Sequence, residues 1–317
     1  MTAGTPAPEG TGPLPPDLLV IGSANADLVV PVGHRPGAGE TVLGGDLVVQ
    51  PGGKGANQAV AAARLGARVA FAGCLGVDGY GDLLLSSLIR AGVDVTDVCR
   101  LDGVPTGVAL ISLTPDGDNA IIVSAGANAH VTKGDVQRAM RCGGRGTPQV
   151  VALQLELPLP VVEHAALVAA AAGARVVLNL APPATLAADV LAVCDPLVLN
   201  AHEAGLLLGR AEPAGPDAID ALFVLGPRSV VLTLGAAGAV VADADGTIAL
   251  AAPAVIPVDT TGAGDALTGA LAWRLVEGDT LPDAVRFAVR VASTATLRPG
   301  AQPSFPRPEE VLAASDH

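Results

Sequence analysis

Residues 257–271 read Pro257-Val-Asp-Thr-Thr-Gly-Ala-Gly-Asp-Ala-Leu-Thr-Gly-Ala-Leu271, and this stretch decides the fold. A Val255-Ile-Pro-Val258 segment, expected to be extended, leads through Asp259-Thr-Thr261 into the turn Gly262-Ala-Gly264. Beyond the turn, Leu267, Leu271 and Leu275 recur every four residues, the spacing of one helical face. A turn of small residues opening a helix aims several backbone N–H groups at one point, at the positive end of the helix dipole. Such a point suits an anion. Asp265, in the first turn beside it, would repel a resting phosphate. The pairing makes chemical sense if Asp265 takes a proton from an attacking hydroxyl while the N–H groups receive the charge developing on a transferring phosphoryl group. The plainer alternative is an ordinary helix start with Thr261 as N-cap.

Composition narrows the setting. The chain has 317 residues, half of them hydrophobic but only 2% aromatic. Its core must therefore be built from Ala, Val and Leu, which suits strands buried on both faces beneath Ala-rich helices. A formal net charge of −13 argues against nucleic acid or anionic membranes as partners, since both call for a basic surface. Cys74, Cys99, Cys142 and Cys194 are scattered, with no CxxC pair and no metal-ligand spacing; they are expected to be buried free thiols in a reducing compartment. Residues 1–17 lack the basic and apolar regions of a signal peptide and are expected to be a disordered tail. No apolar run approaches the roughly 18 residues of a membrane span, so a soluble, cytoplasmic protein is expected.

Along the chain, Asp17–Gly22 predicts a buried first strand that ends in Ser23-Ala-Asn-Ala-Asp27. Asn25 and Asp27 alternate, so both can face one polyhydroxylated ligand at a strand's C-terminal end. Pro51-Gly-Gly-Lys-Gly-Ala-Asn-Gln58 opens an Ala-rich helix with Lys54 and Asn57 at its mouth. It is not a Walker A loop, because Gly55 stands where Ser or Thr is required and Val48 where the first Gly belongs. Arg68–Gly73 predicts a strand, Gly76–Gly81 a loop and Asp82–Ala91 a helix. Thr106–Leu113 and Asn119–Ser124, joined by Thr114-Pro-Asp-Gly-Asp118, predict a β-hairpin. With strand-like pieces between Val29 and Val49, the hairpin would form a small separate sheet acting as a lid. The alternative is that these strands extend the main sheet.

From Val150 the alternation is regular, with strands at Val150–Leu155, Val176–Leu180, Leu197–Asn200 and Val230–Leu234. Helices are predicted near Val161–Ala172, near Thr185–Val193 and up to Leu208, and a last one over Asp283–Leu297. Repeated units of this length imply a mostly parallel sheet with helices on both faces. Glu156, Asn179, Asn200 and Glu203 then fall at the C-terminal ends of successive strands. The loop Arg298–Ser304 could offer carbonyl oxygens to a cation.

Gly22–Asp27, Gly52–Ala59, Thr106–Ala109, Gly126–Asn128, Gln154–Glu156, Asn200-x-x-Glu203, Thr233–Gly235, Asp259–Asp265 and Gly300–Ser304 follow one another in an order that resembles the ribokinase (PfkB-type) family of sugar kinases. The resemblance covers about residues 18–308. It implies a three-layer α/β/α fold, with one kinase domain over 18–317 and lid strands from about 28–50 and 105–125. It also implies phosphorylation of a sugar, ribose in the nearest pattern, at its 5-hydroxyl by ATP. A kinase for 2-deoxyribose or a nucleoside, and a non-catalytic sugar-binding regulator, are the alternatives.

By matching position, Asn25, Asp27, Gly53, Lys54, Asn57 and Glu156 would hold the sugar. Asp265 would be the general base, and the N–H groups of Gly262, Ala263 and Gly264 the anion hole. Asn200, Glu203, Thr233, Gly235 and Gly264 would meet the nucleotide, with Glu203 reaching Mg²⁺ through water. A K⁺ site would map to Asp259, Thr261, Ala295, Arg298, Gly300 and Ser304, mostly through carbonyls. The resemblance also implies a homodimer paired through the lid. Two departures stand out: Ala266-Leu267 replaces the usual Thr-Phe or Ser-Phe, and Gly209–Pro227 is rich in Pro and Gly.

Overall fold

The computed structural model describes residues 16–115, 119–141, 146–210 and 214–311. The expectations for residues 1–15, for Cys142 and for the hairpin tip at Asp116–Asp118 lie outside these residues, as do positions 211–213 of the Pro/Gly-rich segment. In chain order the first half forms β1 (Leu18–Ile21), β2 (Asn25–Pro31), β3 (Val48–Gly52), α1 (Lys54–Arg64), β4 (Val69–Gly76), α2 (Gly79–Arg90), β5 (Val98–Leu101), β6 (Gly107–Leu113), β7 (Asn119–Ser124) and α3 (Lys133–Met140). The second half forms β8 (Val150–Leu153), α4 (Leu159–Ala171), β9 (Arg175–Asn179), α5 (Ala188–Leu191), β10 (Cys194–Asn200), α6 (Ala201–Leu207) and α7 (Ile219–Val224). It ends with β11 (Val230–Thr233), β12 (Ala239–Asp243), β13 (Gly246–Leu250), α8 (Ala263–Val276) and α9 (Leu281–Ala295).

Two sheets result. The large one runs β13-β12-β11-β10-β9-β8-β1-β4-β5. It is parallel from β11 through β5, and only β12 and β13 run antiparallel at one edge. The small sheet runs β3-β2-β6-β7, with β2 parallel to β6 and both hairpin partners antiparallel. The lid strands thus form their own sheet instead of extending the main one.

Strand alternation divides the core. Leu18, Val20, Val69, Phe71, Val150, Val177, Val198 and Val231 point to the face covered by α1, α8 and α9. Leu19, Ile21, Val151, Leu153, Leu178, Leu199 and Leu232 point to the face covered by α3, α4 and α7. On the first face α1 and α8 touch backbone to side chain: a Cβ on Gly269 would lie 2.5 Å from the Gln58 carbonyl oxygen and 3.0 Å from Ala61 Cβ. Small residues let these helices approach this closely.

Several expectations need correcting. The helix expected from Asp82 starts at Gly79, because the Asp78 side chain accepts the Gly81 N–H at 2.8 Å and caps it. The helix expected near Thr185–Val193 shrinks to the four residues of α5. Val255–Val258 belongs to no strand. The sequence reading did not anticipate β5, α3, β12 or β13. Cys74 and Cys194 are buried free thiols as expected, but Cys99 is only half-buried. The pairing of β4 with β5 sets Cys74 beside Cys99, and their sulfurs lie with an Asp135 oxygen within 4.8 Å of one another. No described helix is long and apolar enough to cross a membrane.

Candidate active site

The large sheet's parallel strands end on one side in polar residues, and β2 leaves β1 to place Asn25 and Asp27 above them. Glu156 Oε2 gathers three donors: Ser23 Oγ at 2.6 Å, Lys54 N at 3.3 Å and Asn25 Nδ2 at 3.4 Å. Asn128 Nδ2 donates to Asn25 Oδ1 at 2.8 Å, which fixes the Asn25 amide. The sheet therefore brings Asn25, Lys54 and Glu156 together although they lie up to 131 positions apart. Lys54 is the first residue of α1, whose N-cap is Gly53 with φ of 86°.

Asp265 sits in the first turn of α8 and is buried. Asn57 Nδ2 donates to its Oδ2 at 2.9 Å, and Gln58 Nε2 to its Oδ1 at 3.3 Å. The α8 N-cap is Gly262, not Thr261; its φ is 75° and no side chain caps the helix. The anion hole expected from Gly262, Ala263 and Gly264 needs one correction: the Ala263 N–H already donates to the Thr260 carbonyl at 3.2 Å, so the N–H groups of Gly262 and Gly264 are the ones open to an anion. A cavity of about 220 Å³ joins Asp265, Gly262 and Gly264 to Lys54, Asn200 and Glu203.

Asn200 and Glu203 prove to be a capping box on α6. Asn200 Oδ1 accepts the Glu203 N–H at 2.9 Å, and Glu203 Oε2 accepts the Asn200 N–H at 2.8 Å. Both residues still line the cavity, and their oxygen donors, with Asp265, suit a hard divalent cation reached through water. Beside it lies an apolar slot of about 470 Å³. Thr233 and Gly235 line one wall, residues 252–255 another, and Val289, Ala292 and Thr296 of the α9 region a third. Gly264 lines both cavities, so the helix start is where they meet.

The proposed cation loop is tied together at Asp259. Its Oδ1 accepts the Thr261 N–H at 2.8 Å and its Oδ2 the Gly300 N–H at 2.7 Å. Ser304 is fully buried, and its Oγ donates to the Ala301 carbonyl. The Arg298 guanidinium turns away to Glu310 at 2.7 Å, and the Ala295 carbonyl accepts the Arg298 N–H at 3.4 Å. Neither residue offers a side-chain ligand to a cation.

Charge is concentrated here. Burial, then Glu156 and Asp265, push Asp27 up to about 7, with Lys54 opposing. Burial raises Asp265 against the pull of Lys54 and Asn57, and burial likewise raises Glu203. For Lys54 burial works downward, yet Asp265, Glu156, Glu203 and Asp27 together hold it above its ordinary value.

A stability prediction follows for Asp27. The folded chain keeps the Asp27 proton up to about pH 7, whereas the unfolded chain releases it near 3.8. The stability from this raised value is therefore present below about pH 4 and is lost as pH rises to about 7. Asp27→Asn cannot ionise and should gain on the native chain over that window, by on the order of 4 kcal/mol at full extent. Chemical unfolding of both chains at pH 5 and pH 8 checks this; an equal difference at the two pH values would refute it.

The comparison with known proteins decides among chemistries. The pfkB family carbohydrate kinase model matches residues 15–308. The chain is 36% identical over 303 residues to the ribokinase of Haemophilus influenzae, covering 95% of this chain and 98% of that one. It is 39% identical over 312 residues to the ribokinase of Schizosaccharomyces pombe, covering 93% and 96%.

The chain belongs to the pfkB family of carbohydrate kinases. The architecture agrees with that membership: a ribokinase of Arabidopsis thaliana, solved with ribose and ATP, superposes with a TM-score of 0.83 at 33% identity, over 94% of this chain and 98% of that one. In this pfkB kinase the structure also shows residues that the sequence reading passed over. Gln58 touches Asp265, Asn179 and, through its Oε1, Gln154 Nε2. Ser23, Asn128 and Gln302 hold Glu156, Asn25 and Asn57 in turn. Each lies inside or beside a motif already quoted, which was the available signal.

Proposed function

We propose that this sugar kinase transfers the γ-phosphoryl group of ATP to the 5-hydroxyl of D-ribose. The observation that carries the reading is a buried carboxylate, Asp265, at a helix start that no side chain caps, in one cavity with Lys54 and hydrogen-bonded by Asn57. Asn25, Asp27, Gly53, Lys54, Asn57 and Glu156 hold the sugar hydroxyls. Asp265 removes the proton of the 5-hydroxyl as it attacks, and a raised pKa brings its proton affinity closer to that task. The N–H groups of Gly262 and Gly264 receive the charge on the transferring group, and that of Ala263 joins them once it leaves the Thr260 carbonyl. The apolar slot lined by Thr233 and Gly235 takes the base, and Gly264 stands where the phosphates cross between cavities. Mg²⁺ bound with ATP would offset phosphate charge, and Asn200 and Glu203 are the residues that would orient it through water. A K⁺ held by the Asp259–Gly300 loop would brace the turn at Gly262.

Turnover on ribose, 2-deoxyribose, fructose and adenosine with Mg-ATP, each with and without K⁺, tests the reading. Ribose is expected to be preferred, and K⁺ to raise its rate. A higher kcat/KM for another acceptor would move the substrate assignment, and equal rates in Na⁺ and K⁺ would remove the cation site.

The small sheet supports two further assignments. It is a lid, because β2 carries Asn25 and Asp27 into the site. It is also a dimer surface, because the register sets Val49, Leu110 and Ile122 in one row on the same face, and all three are exposed. Sedimentation of the chain should give the mass of two copies, and Ile122→Glu should return it to one; a native monomer would rule the surface out. The free thiols fit a reducing, cytoplasmic setting.

A further inference from the structure

On the far side of Gln302 from Asp265, four guanidinium groups line one cavity of about 710 Å³: Arg64, Arg90, Arg298 and Arg307. They are four of only 18 basic residues in a chain of net charge −13. Glu310 is the one carboxylate among the lining residues, and it is already engaged by Arg298 at 2.7 Å and by the Arg307 N–H at 2.8 Å. Helix-end chemistry accounts for part of this, since Arg64 and Arg90 close α1 and α2. It does not account for Arg298 and Arg307, which lie outside those helices. Arg64 is also fixed in place, donating to the carbonyls of Gln302 and Phe305. Burial and the neighbouring Arg307 and Arg298 cations press its pKa below the ordinary value, with Glu310 only partly opposing. An excess of cations in a concave, polar space calls for an anion, and the planar guanidinium fork matches phosphoryl oxygens.

The cavity is wired to the reaction site. Ser87, in its wall, donates from Oγ to Gln302 Oε1 at 2.7 Å. Gln302 Nε2 donates to Asn57 Oδ1 at 3.1 Å, and Asn57 Nδ2 to Asp265 Oδ2 at 2.9 Å. The Gln302 carbonyl meanwhile accepts from Arg64, so one residue faces both sites.

We propose that this arginine cavity binds a small anion carrying two or more phosphoryl groups, and that its occupancy is transmitted to Asp265 through Gln302 and Asn57. The binding half stands alone; the transmission half rests on the kinase reading above. Inorganic pyrophosphate is the probe, titrated calorimetrically into the full chain in metal-free, low-salt buffer, where charge is least screened. Arg90→Ser/Arg307→Ser alters two exposed residues and leaves the catalytic residues in place. It should weaken one binding site at least about tenfold, the effect of losing charge-assisted hydrogen bonds. Lys54→Met, on the other side, should leave that site unchanged, and Glu310→Gln should tighten it. Undiminished affinity in the double variant overturns the site.

Turnover with pyrophosphate added at constant free Mg²⁺ tests the link. The native chain should change its rate at least about twofold. Arg90→Ser/Arg307→Ser should keep the basal rate and lose the response. Arginine-dependent binding with no change in turnover overturns the transmission. If no sugar is phosphorylated at all while arginine-dependent binding persists, the kinase reading falls and the cavity's assignment stands.

Discussion

Asp265→Asn should turn over ribose roughly 10²–10⁴-fold more slowly than the native chain, the usual cost of losing a positioned general base, while unfolding near the native temperature. The two halves of this expectation have separate causes. The rate falls because an amide cannot take the hydroxyl proton, although Asn57 and Gln58 still frame the position. Stability holds because the native carboxylate is buried, and burial disfavours its charge. Removing that charge compensates for setting an amide N–H₂ against one of the two donors. Ribose binding, followed by calorimetry, should persist through Asn25, Lys54 and Glu156. Near-native turnover in Asp265→Asn would remove Asp265 as the base. Loss of ribose binding together with turnover would make it a binding residue instead.

Gly262→Ala is the second large effect, and it works through the backbone. Gly262 has φ of 75°, and a Cβ there would lie 2.7 Å from Ala301 Cβ and 3.0 Å from Ala301 Cα. The left-handed conformation alone costs a substituted residue about 1–2 kcal/mol, and the contact forces the turn to move. Misaligning one oxyanion donor costs on the order of 10²–10³ in kcat, so both turnover and melting temperature should fall. Gly264→Ala is the control. Beyond its chain neighbours and the helix's own backbone, no atom lies within 4 Å of the Cβ it would add, so it should melt like the native chain and act only on catalysis and nucleotide affinity. Equal destabilisation by the two substitutions would show that the turn is not what Gly262 protects.

Much of this was legible in the sequence because the deciding features are local. Lys54, Asn57 and Asp265 lie at helix starts marked by glycine, and β1, β8, β9, β10 and β11 are short apolar runs. What stayed hidden was weakly coded or long-range. Strand β12 is Ala239-Val-Val-Ala-Asp243 and β13 Gly246-Thr-Ile-Ala-Leu250; alanine and glycine carry little strand preference, and pairing of β12 with β11 and of β13 with β12 is what orders them. The α5 segment lies between Pro182-Pro183 and Pro196, and only four residues keep helical geometry. Asn200-x-x-Glu203 was read for its chemistry when its spacing is also that of a capping box. The slot lined by residues 252–255 and α9 could not be foreseen, since it exists only where a loop without strand structure meets a helix about 40 positions later.

The close contact of α1 with α8 at Gly269 bears on how donor and acceptor meet. One helix begins at Lys54, Asn57 and Gln58; the other begins at the Gly262 turn and Asp265. At Gly269 their spacing is set by the Gln58 carbonyl and Ala61, and toward the helix starts Asn57 and Gln58 tie α1 to Asp265. The line along which a hydroxyl would approach the phosphoryl group is therefore drawn before either ligand arrives. Aligning two reactants in advance can be worth several orders of magnitude in effective concentration. A single added methyl at position 269 would tilt that line without touching any residue that meets a ligand.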